Sequence, residues 1–218
     1  MKILSTKLLS EEELKIAANL QLEITCLPTI RITFNKFNTK NIENNFDTIL
    51  FTSSNAVNYF FENIQNDELI KNSKIVSIAE KTALTLKTKK NSIYKCGKNI
   101  KEITELINTD PYINSIIHPC GNLSNIIETQ KNYMQLVVYN NTPIYVNKIS
   151  EKYDAVMFFS PSGVKGFIKN NLLNNETIYC CVGKSTANYL SSFNTSLNII
   201  VAEKTDAVSM LLAIKNNQ

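Results

Sequence analysis

Phe158 to Phe167, FFSPSGVKGF, joins an apolar run to a helical pattern with almost nothing between them. Ala155 to Phe159 has the character of a buried strand, and Val164, Phe167, Ile168 and Leu172 recur at helical spacing. The intervening Ser160-Pro161-Ser162 is therefore a tight strand-to-helix corner. Pro161 or Ser162 opens the helix, whose first N–H groups have no internal partner, and the hydroxyls of Ser160 and Ser162 point to the same place. Two readings of Ser160 stand side by side: a plain helix cap, or part of an anion-binding corner.

The corner has a twin. In Phe51 to Phe60, FTSSNAVNYF, residues Phe51, Ser53, Val57 and Phe60 align with Phe158, Ser160, Val164 and Phe167. A second pair follows each: VSIAEKTALTL (76–86) aligns with CCVGKSTANYL (180–190), setting Thr82 on Thr186 and Ala83 on Ala187. Two ordered matches at nearly the same offset indicate two copies of one domain.

Composition limits the function classes. A chain of 218 residues, 44% hydrophobic and 19% charged, is an ordinary globular sequence for one large or two small domains. No apolar run approaches a membrane span, and Met1-Lys2-Ile3-Leu4 enters what reads as a strand, so a cytoplasmic protein with no membrane partner is expected. Five cysteines without a CxxC pair and a single histidine, His118, suggest neither a disulfide framework nor a metal site. A net charge of +4 mildly favours an anionic ligand, but the lysines are scattered and Arg31 is the sole arginine. No nucleic-acid partner is expected.

In chain order, Ile3 to Ser5 is a strand, and Ser10 with Glu13 makes a capping box for a helix through Leu22. Ile24 to Leu27 is the next strand, and TIRITF (29–34) is a half-exposed one. Strands at 48–52, 74–78 and 93–95 alternate with helices to about 64, to about 86, and from about 99 to 107. Ser115 to His118 is read as a strand, Pro119-Cys120-Gly121-Asn122 as its turn, Leu123 to Tyr133 as a helix, and Leu136 to Tyr139 as a fifth strand. A short extended segment at 142–146 is expected to run antiparallel to 29–34. Strands at 155–159, 177–182 and 198–201 follow with their helices, the last from Asp206 to Lys215. Alternating strands and helices imply parallel sheets with right-handed crossovers. The expected architecture is α/β: two flavodoxin-like doubly wound domains joined by a two-stranded β-ladder hinge. Residues 1–30 and 147–218 form a discontinuous domain, and 31–146 an inserted one. Ligands of such sheets lie beyond the carboxyl ends of the strands. Those ends carry hydroxyl, small and amide residues, which suits a ligand rich in carboxylates, above all if the two edges face each other across the hinge.

ILFTSSNAV, IIHPCGNL, VVYNNTP, FFSPSGV, VGKSTA and AEKTDAVSMLLAI stand in the order and spacing of uroporphyrinogen-III synthase, and over nearly its whole length the chain resembles that family. The resemblance implies a cofactor-free, metal-free, monomeric lyase of heme biosynthesis. Its substrate is the linear tetrapyrrole hydroxymethylbilane, closed to uroporphyrinogen III with loss of water and inversion of the last ring. By the same resemblance Tyr139 is the candidate catalytic residue, a proton donor to the departing hydroxyl or else a structural hinge tyrosine. The candidate substrate contacts are Ser53, Ser54, Thr82, Cys120, Gly121, Asn122, Ser160, Ser162, Gly183, Ser185, Thr186 and Thr205, with capping as the other role of the two threonines Thr82 and Thr186.

Two departures stand out. Ala79-Glu80 occupies a glycine position of the family pattern and brings a carboxylate towards a polyanion, and Lys204 replaces a proline before Thr205. His118 is read as a strand-end residue rather than a base, since no partner motif accompanies it. The competing function from another class is a non-catalytic tetrapyrrole or polyanion-binding module. A nucleotide-binding regulator would need a Gly-rich phosphate loop, which the sequence lacks.

Overall fold

The computed structural model describes residues 1–37, 42, 46–64, 68–78, 81–89 and 91–217. Its elements are β1 (Lys2–Ser5), α1 (Glu11–Asn19), β2 (Glu23–Cys26), β3 (Ile30–Phe34), β4 (Thr48–Phe51), α2 (Ser54–Asn63), α3 (Glu68–Asn72), β5 (Lys74–Ile78), α4 (Lys81–Thr88) and β6 (Lys95–Gly97). They continue with α5 (Ile100–Thr109), β7 (Ser115–Gly121), β8 (Asn132–Pro143), β9 (Ala155–Phe158), α6 (Pro161–Ile168), β10 (Ile178–Cys181), α7 (Lys184–Ser191), β11 (Asn198–Val201) and α8 (Ala207–Lys215). The chain divides into two units, Met1–Arg31 with Thr142–Gln218, and Ile32–Asn141.

The first unit holds a five-stranded sheet in the order β11-β10-β9-β1-β2, with every recorded pairing parallel. Alternate residues of each central strand feed different cores, as the two-residue period of a strand dictates. Ile3, Ala155, Met157 and Cys180 pack with Ala17 of α1 and Met210, Leu211 and Ile214 of α8. Leu4, Val156, Phe158 and Tyr179 pack with Val164 and Phe167 of α6 and Leu190 of α7. The sheet is thus covered on both faces.

The other unit repeats this with its chain ends moved. Its sheet runs β3-β8-β7-β4-β5-β6. Here β4-β5-β6 correspond to β9-β10-β11, and β7-β8 to β1-β2, so the strands that open the chain in one unit close it in the other. Phe51 and Ile49 meet Val57 and Phe60 of α2 and Leu86 of α4 on one face, and Leu50, Val76 and Ile116 meet Ile103 and Ile107 of α5 on the other. The twin corners agree in detail. Phe51 meets Phe60 edge-on at 5.4 Å and 73°, and Phe158 meets Phe167 at 5.4 Å and 77°. Such pairs add about 0.5–1.5 kcal/mol beyond the area they bury. β3 lies beside β8; Asn35 N–H donates to the Val138 carbonyl and Ile144 N–H to the Thr29 carbonyl, bonds whose order requires antiparallel strands.

Several expectations are corrected. No helix forms over 123–133: the segment between β7 and β8 is irregular up to Asn132. Of its apolar residues only Ile127 is buried, while Leu123 and Ile126 are exposed, so a helix would gain little by packing. A side chain takes over some of its backbone bonds, Gln135 Nε2 donating to the carbonyls of Ser124 and Asn125. Pro119, Cys120 and Gly121 are not a turn but the end of β7. The strands expected at 136–139 and 142–146 are one, β8, ending at Pro143. Helix α6 stops at Ile168, leaving Leu172 92% exposed, and α1 stops at Asn19, with Gln21 at φ 60° turning the chain into β2. The short α3 has no counterpart in the expected pattern.

Candidate active site

In doubly wound sheets the crevice lies where the chain's winding reverses, between β4 and β7 in one unit and between β1 and β9 in the other. At the first of these, Ser53 is the extended N-cap of α2 (φ −148°, ψ 135°), and its Oγ accepts from Ala56 N–H at 3.5 Å. The same oxygen lies 3.3 Å from the phenolic oxygen of Tyr139. Tyr139 reaches this point because β8 is irregular opposite β7: Cys120 pairs with Val137, but Gly121 with Tyr139. A bulge of this kind re-aims a side chain. A Cβ on Gly121 would stand 2.6 Å from the Tyr139 ring, so only glycine lets the ring lie there. On another side the Tyr59 ring packs on Tyr139 at 5.8 Å, and Phe34 stacks on Tyr59 at 5.7 Å.

Asn122 is spent on holding β8, its N–H bonded to the Tyr139 carbonyl and its Oδ1 accepting from Asn141 N–H. Cys120 is buried beneath, and burial raises its thiol pKa above the ordinary value. His118 is also buried, with Nε2 2.8 Å from Thr52 Oγ1 and Nδ1 2.6 Å from the Tyr133 hydroxyl. Desolvation lowers its pKa to about 4. Among the described residues no carboxylate bonds the ring to offset that cost, so at neutral pH it is an uncharged strut.

In the other unit Ser160 is the extended N-cap of α6, accepting from Gly163 N–H at 3.1 Å, with Ser162 Oγ 3.1 Å from its own. The buried Thr29 Oγ1, without a hydrogen-bond partner among the described residues, lies 3.3 Å from where a Gly163 Cβ would stand. Gly183 begins α7 without a side-chain cap, and a Cβ there would meet, among the described residues, only Thr205 Cγ2, at 3.9 Å. Ser185 and Thr205 are exposed and Ser54 half-buried. Thr82 and Thr186 hold matching places in the first turns of α4 and α7, and both are buried. Ala79 and Glu80 lie outside the described residues. Ser53, Gly121 and Tyr139 are therefore one cluster, Ser160 and Ser162 a second, and Gly183 and Thr205 a third. Sequence does not single out Tyr59 or Thr29: Tyr59 falls within the helix read to about residue 64, and Thr29 opens the strand read at 29–34.

The family model for uroporphyrinogen-III synthase HemD matches residues 12–211. This chain belongs to the uroporphyrinogen-III synthase family. The solved uroporphyrinogen-III synthetase of Helicobacter pylori is similar at a TM-score of 0.70 and 19% identity, over 100% of this chain and 99% of that one. A mutant uroporphyrinogen III synthase of Thermus thermophilus matches at 0.69 and 15%, over 99% and 98%. The wild-type Thermus enzyme in another crystal form matches at 0.53 and 14%, over 99% and 97%. Likeness at such identities bears on the fold, and both family-wide and fold-wide matches agree with the doubly wound architecture. No curated protein matches the sequence. Membership of the family makes the chain a cyclising hydro-lyase of porphyrin biosynthesis acting on a small-molecule tetrapyrrole.

Proposed function

We propose that the chain closes hydroxymethylbilane into uroporphyrinogen III with Tyr139 as proton donor and the strand-end corners as carboxylate grips. The observation that carries this reading is the half-buried Tyr139 phenol, held beside the N-terminus of α2 at the carboxyl edge of the second sheet. The substrate's electron-rich pyrrole expels the terminal hydroxyl; a proton from the phenol lets it leave as water and an azafulvene cation remains. The substituted carbon of the last ring attacks first, giving a spiro intermediate that reopens and recloses inverted. The proton released as the final pyrrole regains aromaticity restores the phenol, so no covalent nucleophile is required.

Acetate and propionate groups suit helix N-termini. Ser160 with Ser162, the start of α2 with Ser54, and the uncapped start of α7 with Ser185 and Thr205 are the corners we assign to them. Thr82 and Thr186 act from beneath by fixing first turns whose backbone donors face the ligand, and Cys120, Gly121 and Asn122 hold the strand edge. Lys7, Lys184 and Lys204 are exposed at strand ends and supply positive charge there. We take the working form to be a cytoplasmic monomer.

The test is isomer analysis. Hydroxymethylbilane is generated in situ, the purified protein added, and the oxidised porphyrins separated. Type III product above the protein-free control is expected; type I alone from a folded protein would refute the reading and leave a binding module.

A further inference from the structure

We infer that Ser53 is a positioning residue for the reaction: it donates its proton to the Tyr139 oxygen and thereby leaves the phenolic proton for the departing hydroxyl. The inference rests on Tyr139 as the acid, and it assigns Ser53 a task other than gripping a carboxylate.

A hydroxyl has one proton and two lone pairs. The Ser53 oxygen already accepts from Ala56 N–H at the start of α2. Among the described residues the one acceptor recorded within reach of its own proton is the Tyr139 oxygen, at 3.3 Å. Were the phenol to donate instead, the Ser53 proton would have no recorded acceptor among the described residues and the phenol would have spent the proton the chemistry needs. With Ser53 as donor the bonds run one way, from Ala56 N–H to Ser53 to Tyr139 to substrate, and such chains reinforce one another. At 3.3 Å the bond is long for O–H···O. Polarisation along that one-way chain favours its shortening as the phenol gives its proton up, which is when the phenolic oxygen most needs a donor.

The rest of the cluster fixes where the phenol can be. Gly121 admits the ring where a Cβ would stand 2.6 Å from it, and Tyr59 packs on it at 5.8 Å. The ring is thereby located by packing, and the one remaining freedom, rotation of its O–H, is what Ser53 removes. In the first unit the equivalent cap, Ser160, has Ser162 Oγ at 3.1 Å and no tyrosine bonded to it among the described residues. The two corners are alike in capping and differ in this task.

The experiment is a double-mutant cycle on the full chain, with kcat and KM for type III formation. Ser53→Ala should lower kcat about tenfold, the worth of one hydrogen bond made in the transition state, with KM within about twofold. Ser53→Thr should restore most of it. In a Tyr139→Phe background Ser53→Ala should cost nothing more in kcat. A KM increase that persists in that background would mean a carboxylate contact and overturn the inference. Equal losses in both backgrounds that track a lowered Tm would mean a plain cap and overturn it too. A readout independent of turnover is the 13Cζ resonance of Tyr139, which should move in Ser53→Ala and return in Ser53→Thr; a resonance unmoved by Ser53→Ala refutes the bond. A wild-type chain that forms only type I product would refute the catalytic reading, while the resonance would still decide the bond.

Discussion

Acidification should weaken the protein through His118 well before its carboxylates matter. The ring is buried between Thr52 and Tyr133, and its pKa falls from 6.5 to about 4. In the unfolded chain it returns to the ordinary value, so between these limits the unfolded state binds a proton that the folded state refuses. The stabilisation is whole above pH 6.5, falls as pH drops through the window, and is exhausted below pH 4. At pH 5 the unfolded histidine is nearly all charged and the folded one about a tenth so, which shifts the equilibrium about 30-fold, or about 2 kcal/mol. The assay is urea denaturation at pH 7.5 and 5.0, followed by far-ultraviolet circular dichroism, on wild type and His118→Gln. Groups other than His118 contribute alike to both proteins, so the difference in pH dependence isolates the ring. The chain has a single histidine, so its Cε1–H resonance also gives the midpoint directly, even if the variant folds poorly. Equal pH dependence in the two proteins, or a midpoint near 6.5, would refute the argument.

Tyr139→Phe should fold normally and lose about a hundredfold in kcat, the lower end for general acid catalysis, since the substrate also expels its hydroxyl unaided; an unchanged rate removes Tyr139 from the mechanism. Gly121→Ala should lose activity comparably, because the new methyl displaces the ring; steady-state assay of a variant shown folded by circular dichroism decides it. Gly166→Ala should destabilise by about 1–3 kcal/mol or more in denaturant unfolding, since its Cβ would stand 2.5 and 2.7 Å from the carbonyl oxygens of Thr29 and Ile144. Gly183→Ala, with open space before it, should stay within about 0.5 kcal/mol of wild type. Cys180 and Cys181, whose thiols burial pushes up to about 12, should resist a disulfide reagent until unfolding, whereas the exposed Cys96 should react at once.

The corners were legible because their signals are local: a serine cap, an apolar strand before it, and phenylalanines at matched offsets. Ser53 and Ser160 cap helices as their sequences require, and the Phe51–Phe60 and Phe158–Phe167 pairs share one geometry. What sequence hid depends on contacts across long separations. The helix expected after Asn122 fails because the carbonyls of Ser124 and Asn125 are claimed by Gln135, and the placement of Tyr139 depends on a register irregularity between strands. Tyr59 joins the site only because α2 brings its ring onto that of Tyr139 in β8. The single histidine, read as a strand-end residue rather than a base, lies within β7, where burial makes it a neutral support.

The permuted arrangement of strands also sets an order of events on the ribosome. β1 lies between β2 and β9, with Ile3 opposite both Ile24 and Ala155. The whole of Ile32–Asn141 has therefore been synthesised before β9 exists, and that unit can close while the first pieces of the other wait. During the wait Ile3 and Leu4 have no second neighbour, and a closure spanning roughly 150 residues is slow by its loop entropy. A message cut short after Pro143 would release a closed unit bearing an unclosed βαβ fragment at its front, with apolar faces bare to chaperones, proteases and other nascent chains.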